Sequence, residues 1–191
     1  DSAGVAFREN SKISLIKAKG RVLDLENKLP EMKIKSNQGI AHTRWATHGV
    51  PSEKNAHPQI SENKIFVVHN GIIENHLKLK EKLQSEGVKF RSDTDTEVLV
   101  NLIEAVQKNG NYKLGKAVQI ALNQVIGAYA IAVFDIKKPN EIVVARLGSP
   151  LAIGIGKNEF FIASDASPFI EYTNNAIYLE DEEMAIIRLH K

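Results

Sequence analysis

The sequence contains no cysteine. Disulfides, thiolate metal sites and a cysteine nucleophile are therefore excluded from within these residues. Long apolar runs are missing as well. Stretches such as Ala128 to Phe134 fall far short of the about 20 residues that a membrane-spanning helix needs. Neither sign of charge dominates, since 25 basic and 23 acidic residues leave a formal net charge of +2, mixed along the chain. Nothing in that balance points to nucleic acid or to an anionic membrane as a partner. No repeat, linker or low-complexity segment interrupts the chain. No signal-peptide pattern opens it, which fits a cytoplasmic protein. No methionine opens it either. The start at Asp1-Ser2-Ala3-Gly4 reads as that of a fragment of a longer polypeptide.

What is present suffices for one domain with a substantial core: 191 residues, 43% hydrophobic and 25% charged. Val5-Ala6-Phe7 and Ile13 to Lys17 read as strands joined by a polar turn, Arg8-Glu9-Asn10-Ser11. Arg21 to Leu29 suits a short amphipathic helix ended by Pro30. Gly39 to Trp45 reads as a strand, followed from Ala46 to Asn63 by an irregular segment of a length that is often functional. Lys64 to His69 is a strand running into Asn70-Gly71. Helices are predicted from about Ile73 to Ser85, Thr94 to Gln107 and Tyr112 to Gln124, with a brief strand at Val88-Lys89-Phe90. After Gly127 the pattern becomes short strands with tight turns: Ala128–Asp135, Glu141–Arg146, Leu151–Ile155, Glu159–Ala163, Ala176–Leu179 and Met184–Arg188. Only Ser167 to Glu171 looks helical among them. Antiparallel strands around a block of helices imply an α+β architecture.

Four constellations could carry chemistry. The first, His42-Thr43-Arg44-Trp45-Ala46-Thr47-His48-Gly49, crowds a forked cation, an aromatic ring, hydroxyls and imidazoles where a strand gives way to a loop. Arg44 suits a carboxylate, which its guanidinium can meet with two parallel hydrogen bonds; an Arg and a Trp at the rim of a core would look the same. In the second, Asn70-Gly71 is either a hairpin turn, both residues tolerating positive φ, or an oxyanion hole built from a side-chain amide and a backbone N–H. The third, Thr94-Asp95-Thr96-Glu97, is a capping box, with Asp95 in the first turn where the helix dipole favours a carboxylate. Asp95 could equally bind a substrate ammonium. Finally, His42, His48, His57 and His69 lack the spacing of a zinc site, and no metal or other cofactor is expected.

Taken together these residues resemble the glutaminase domain of the isomerising glutamine:fructose-6-phosphate aminotransferases, a class II glutamine amidotransferase family. The resemblance rests on Asp1-Ser2-Ala3-Gly4, Thr43 to Gly49, Asn55-Ala56-His57-Pro58, Val68 to Ile72, Ser92 to Glu97, Gly148 to Leu151 and Ile162 to Asp165, in family order over nearly the whole chain. It implies an N-terminal-nucleophile hydrolase fold: a four-layer α/β/β/α sandwich of two antiparallel sheets, here one domain spanning 1–191 and truncated at its N-terminus. By position, Arg44 would bind the α-carboxylate of L-glutamine and Asp95 its α-ammonium. Asn70 and Gly71 would form the oxyanion hole. Thr47 and His48 would line the pocket, and Trp45 would belong to a loop closing over it. The family's nucleophile is a cysteine at the mature N-terminus, which this chain lacks, so the chain alone is expected to be inactive. A non-catalytic glutamine-binding or regulatory module is the alternative. The family also implies sugar-isomerase domains in the same polypeptide and a parent that is a homodimer or higher. Without the family's opening strand, exposed ladder groups and an uncovered apolar face are expected.

Overall fold

The computed structural model describes residues 1–9, 12–29, 35–62 and 65–188. Its centre is a pair of antiparallel strands, β5 (Ile65–Ile73) and β6 (Gly127–Asp135), the numbering following chain order. Their side chains alternate between two faces, as a pleat demands. Ile65, Val67 and Ile73, with Tyr129, Ile131 and Val133, enter one core; Phe66, Ala130, Ala132 and Phe134 enter another. A strand buried on both faces reads as a continuous apolar run, which is why Ile65-Phe66-Val67-Val68 shows no period-2 pattern. The rings of Phe66 and Phe134, directly opposite in register, stack at 4.8 Å.

Around this pair the five-stranded sheet runs β11-β7-β6-β5-β4, adding β4 (Gln59–Ser61), β7 (Glu141–Leu147) and β11 (Met184–Arg188). Three helices, α2 (His76–Ser85), α3 (Asp95–Gly110) and α4 (Leu114–Leu122), close one face through Leu83, Leu99, Ile103 and Val118. Two three-stranded sheets, β2-β1-β3 and β10-β8-β9, cover the other. They comprise β1 (Ser2–Glu9), β2 (Lys12–Lys19) and β3 (Gly39–Arg44), and then β8 (Ala152–Ile155), β9 (Phe160–Ala163) and β10 (Ala176–Tyr178). Ala6 and Ile40 from the first and Ile153 from the second pack on Phe66 and Phe134. Helix α1 (Val22–Glu26) adds an outer layer, with Leu25 on Ala3 and Ala18. This is the α+β architecture that the residue pattern implies and the sandwich that the family resemblance implies, with the second β layer divided in two.

Several local expectations fail for identifiable reasons. Asn70-Gly71 is not a hairpin turn, because β5 continues through it to Ile73, pairing Asn70 with Ala130 and Gly71 with Tyr129. The following helix accordingly begins at His76, not at Ile73. Val88-Lys89-Phe90 forms no strand. Its apolar alternation instead lays Val88 and Phe90 against the helical core. Ser167 to Glu171 makes turns rather than a helix, and Phe169 is the residue it buries. The helices expected at 21–29 and 112–124 are shorter, at Val22–Glu26 and Leu114–Leu122. The irregular segment after Trp45 contains β4. The turn residues Asn10 and Ser11, the helix-ending Pro30, and Asn63 and Lys64 lie outside the described residues.

Among the described residues, strand β3 pairs only with β1, and β9 only with β8. Both line one groove of about 320 Å³, floored by Val68, Asn70 and Ala130. Two open strand edges beside an apolar floor are an association hazard. We expect the chain on its own to self-associate in sedimentation velocity as concentration rises. Lysines at exposed edge positions, in Ala41→Lys/Phe160→Lys, are expected to reduce this association. A wild-type chain that stays monomeric throughout the concentration range counts against it.

Candidate active site

The site lies where β3 and β5 end beside the start of α3. Arg44 closes β3, and its guanidinium turns inward, donating from NH2 to the carbonyls of His48 and, at 3.1 Å, Gly49. Its other amino group, NH1, is buried and has no hydrogen-bond partner among the described residues. The loop therefore folds back over its own arginine. Gly49 lies at φ +80°, and a Cβ there would come within 2.6 Å of Asn55 Nδ2 and 3.0 Å of Asp93 Cβ. Only glycine suits that turn and that approach. Trp45 is 88% exposed and Thr47 is also exposed, whereas His48 is half-buried with its ring edge-on to His76 at 4.6 Å.

Asp95 stands in the first turn of α3, 4% exposed. One carboxylate oxygen accepts from the backbone N–H of Ile73 at 2.8 Å, the other from its neighbour Thr96 at 3.0 Å. Thr94 caps the helix, its hydroxyl accepting from Glu97 N–H at 3.2 Å. The second half of the expected capping box differs. Glu97 reaches past Thr94 to the N–H groups of Arg91 (2.8 Å) and Ser92 (2.6 Å). That bond anchors the turn leading into α3.

Because Asp95 holds Ile73, it also holds the strand end that carries Asn70 and Gly71. Gly71 has φ +140°, and a Cβ would lie 2.1 Å from the carbonyl oxygen of Ala128. A side chain there would prise β5 from β6. His69 has Nδ1 at 2.9 Å from the Thr96 hydroxyl and Nε2 at 3.4 Å from Ala128 O. A carbonyl only accepts, so those partners assign the proton to Nε2, and Nδ1 accepts from Thr96. The expected residues are thus brought to one end of the two strands, where, among the described residues, Arg44 and Asn70 line different recesses. Arg44 and Trp45 line a recess of about 300 Å³ beside Ser2 and Arg21. Asn70 opens into the β3–β9 groove with His42 and His69.

The sequence singles out His42, His57 and His69 as zinc ligands whose spacing does not fit; what it misses is their shared burial. His42 and His57 stand ring to ring at 4.7 Å, and His57 is 4% exposed. Among the described residues no group of three or more His, Cys, Asp or Glu is arranged to hold a metal ion. Burial first, then the neighbouring His69 and Arg44, pushes His42 down to about 4, and burial likewise pushes His57 well below its ordinary range. Burial also lowers His69, against the pull of Asp95. Arg44 is lowered by burial too, while the Asp95 carboxylate raises it. Alternating polarity hides these histidines in the sequence; only their burial sets them apart.

Such histidines make folding depend on pH. A folded-state pKa below the unfolded value means that the unfolded chain binds more protons as pH falls through that interval. Stability is then full above about pH 6.5 and lost progressively towards pH 4. From His42 alone the loss near pH 5 is on the order of 2 kcal/mol. Urea melts between pH 7.5 and 5 should show the midpoint falling, and His42→Gln should flatten the dependence. A midpoint that does not move over that range contradicts the assignment of neutral buried rings.

Comparison with known proteins gives a consistent result. Residues 21–189 match the family model described as a glutamine amidotransferase domain. The isomerising glutamine–fructose-6-phosphate aminotransferase of Bacteroides thetaiotaomicron is 54% identical over 193 residues, covering 100% of this chain and 31% of that protein. That of Chlorobaculum tepidum is 51% identical over 192 residues, covering 98% and 31%. The chain thus spans about a third of the length of these curated relatives. Among solved structures, the glutamine phosphoribosylpyrophosphate amidotransferase from B. subtilis is similar, with a TM-score of 0.76 and 26% identity over 99% of this chain and 43% of that one. A class-II glutamine aminotransferase domain protein from Silicibacter pomeroyi shares the fold at TM-score 0.56 and 12% identity, over 100% of this chain and 92% of that one.

Proposed function

Because the chain belongs to the glutamine amidotransferase family, we propose that it forms the glutamine-hydrolysing domain of an isomerising glutamine–fructose-6-phosphate aminotransferase. The observation that carries this reading is the pairing of Arg44, with a buried and unengaged amino group, with Asp95 at the same end of β3 and β5 as Asn70-Gly71. A free amino acid presents a carboxylate and an ammonium on one carbon, and a site of opposite charges can meet both. Arg44 NH1 takes the α-carboxylate and Asp95 the α-ammonium. Two of the carboxylate's about four lone-pair positions are engaged by backbone N–H groups, which leaves acceptor capacity for the substrate. Thr47, His48 and Trp45 contribute the rim. The side-chain amide then reaches towards Asn70 and Gly71.

Hydrolysis proceeds by acyl transfer. A thiolate attacks the side-chain carbonyl carbon, the oxygen takes up negative charge, and Asn70 Nδ2–H with the Gly71 N–H stabilises it. The proton taken from the thiol is passed to the leaving nitrogen, so that it departs as ammonia, and water then cleaves the thioester to glutamate and returns the thiol. These residues contain no cysteine, so the thiol comes from outside them and the 191 residues alone do not turn over. The groove between β3 and β9 leads to Asn70 and gives such a segment a route in. The ammonia is used by sugar-isomerising domains of a longer, dimeric or larger cytoplasmic protein. In support, the relatives named for that reaction are about three times as long as this chain. No helix among the described residues is long and apolar enough to cross a membrane.

Two substitutions in the full-length protein test the roles separately. Asn70→Asp sets a carboxylate against the oxyanion and should lower glutaminase kcat by about a hundred- to a thousandfold, with little change in KM. Arg44→Lys should raise the KM for glutamine about tenfold or more, because one ammonium cannot hold the His48 and Gly49 carbonyls and the substrate carboxylate together. Near-normal turnover in the first variant would return Asn70 to a structural role, and an unmoved KM in the second would remove Arg44 from the site.

A further inference from the structure

Asn55 sits in the long segment between β3 and β4, 0% exposed, and the glutamine site as described does not use it. Its side chain ties Val50, earlier in the same segment, to Asp93 before α3. Nδ2 donates to Val50 O at 2.9 Å and to Asp93 Oδ2 at 3.3 Å, while Oδ1 accepts from Asp93 N–H at 3.0 Å. Val50 directly follows the two carbonyls that Arg44 grips, and Asp93 lies two residues before Asp95. Gly49 lacks a side chain where one would strike Asn55 and Asp93. The second link between these segments, Lys54–Asp93 at 2.8 Å, is about half exposed at both ends. Exposed pairs contribute little, so the buried amide is the stronger tie.

We propose that Asn55 is a positioning residue that sets the separation of Arg44 and Asp95, and with it the selectivity of the site for a ligand bearing both an α-carboxylate and an α-ammonium. The inference rests on the reading of Arg44 and Asp95 given above. An amide suits the role because it donates to one segment while accepting from the other. Aspartate would keep the contact with Asp93 N–H but turn a negative oxygen towards Val50 O and the Asp93 carboxylate, pushing the frame open. Alanine would leave the Val50 carbonyl and Asp93 N–H without partners.

The test uses the full-length protein and two ligands: L-glutamine, and 4-carbamoylbutanoate, which lacks the α-ammonium. In Asn55→Asp the KM for glutamine should rise about tenfold while kcat stays within about threefold, as loss of one buried bond would predict. The competitive inhibition constant of 4-carbamoylbutanoate should change far less, because that ligand engages only one of the two charges. Asp93→Asn placed on Asn55→Asp removes the repulsion and should restore part of the glutamine KM. Should Asn55→Asp fail to fold, Asp93→Ala, at a half-exposed position, loosens the same frame and should raise the glutamine KM about two- to threefold. Equal losses for both ligands, or an unchanged glutamine KM, would overturn the proposal. Arg44→Lys serves as the reference. If it too leaves the glutamine KM unmoved, the fault lies with the glutamine site; if it raises KM while the Asn55 and Asp93 variants do not, the fault lies with Asn55 alone.

Discussion

The hydrogen bond from Ile73 N–H to the Asp95 carboxylate, 2.8 Å and buried, is the contact on which the site depends. It joins residues 22 apart in sequence, one at the end of the central strand and one in the first turn of the longest helix. Burying a carboxylate is costly unless charge and hydrogen bonds compensate it. Asp95 receives two backbone N–H groups, the positive end of the helix α3 dipole and the field of Arg44. The same compensation fixes the layers. If the bond to Ile73 were lost, the last turn of pairing between β5 and β6 would no longer be referenced to the helices, and Asn70 and Gly71 would lose their placement relative to Asp95.

A second constraint is the closeness of β5 to β6 at the site. Side chains are excluded at Gly71, by the carbonyl of Ala128, and at Gly127, by the carbonyl of Ile72, each 2.1 Å from where a Cβ would lie. The two glycines stand on opposite strands, two positions apart in the ladder. They let the ladder persist through a stretch of positive φ. Asn70 and Gly71 are consequently held by a sheet rather than by a loop. In the proposed oxyanion hole, donors held on a sheet would not need to reorganise as charge develops, and it is from such preorganisation that oxyanion stabilisation gains its energy.

Much of the scaffold was legible from residue pattern. The Ala128–Asp135 strand, the Thr94 cap and the charged helix before Gly87 follow from rules that act over a few residues. The failures share a cause. Asn70-Gly71 has the composition of a tight turn, yet its partner strand lies about 60 residues away and overrides the local preference. Ile72 and Ile73 fit a helix until that pairing claims them. Val88 and Phe90 alternate like a strand but pack against the core between the helices and the sheet without pairing to a strand. The site was legible in a different way. Its residues were named by family resemblance, whereas their assembly depends on contacts such as His69 to Thr96 and Asn55 to Asp93, which no local motif specifies. For Thr94 to Glu97 the local explanation was sufficient by itself, so nothing in the motif revealed that Asp95 reaches across to a strand.

The electrostatic balance of this end of the molecule follows from the buried imidazoles. His42, His57 and His69 all lie within the field of Arg44 or Asp95, and Lys17, itself lowered to about 8 chiefly by burial, adds to the field at His57. Were the three rings charged at neutral pH, they would compete with Arg44 for Asp95 and raise the cost of burying every cation present. Their neutrality leaves the Arg44 guanidinium in the field of the Asp95 carboxylate without a competing buried imidazolium. Under the proposed reading of these two residues, a zwitterionic amino acid would enter without changing the net charge of the interior. Desolvation, the first cause of the lowering at His42, His57 and His69, thus keeps further cations out of the field that Arg44 and Asp95 share.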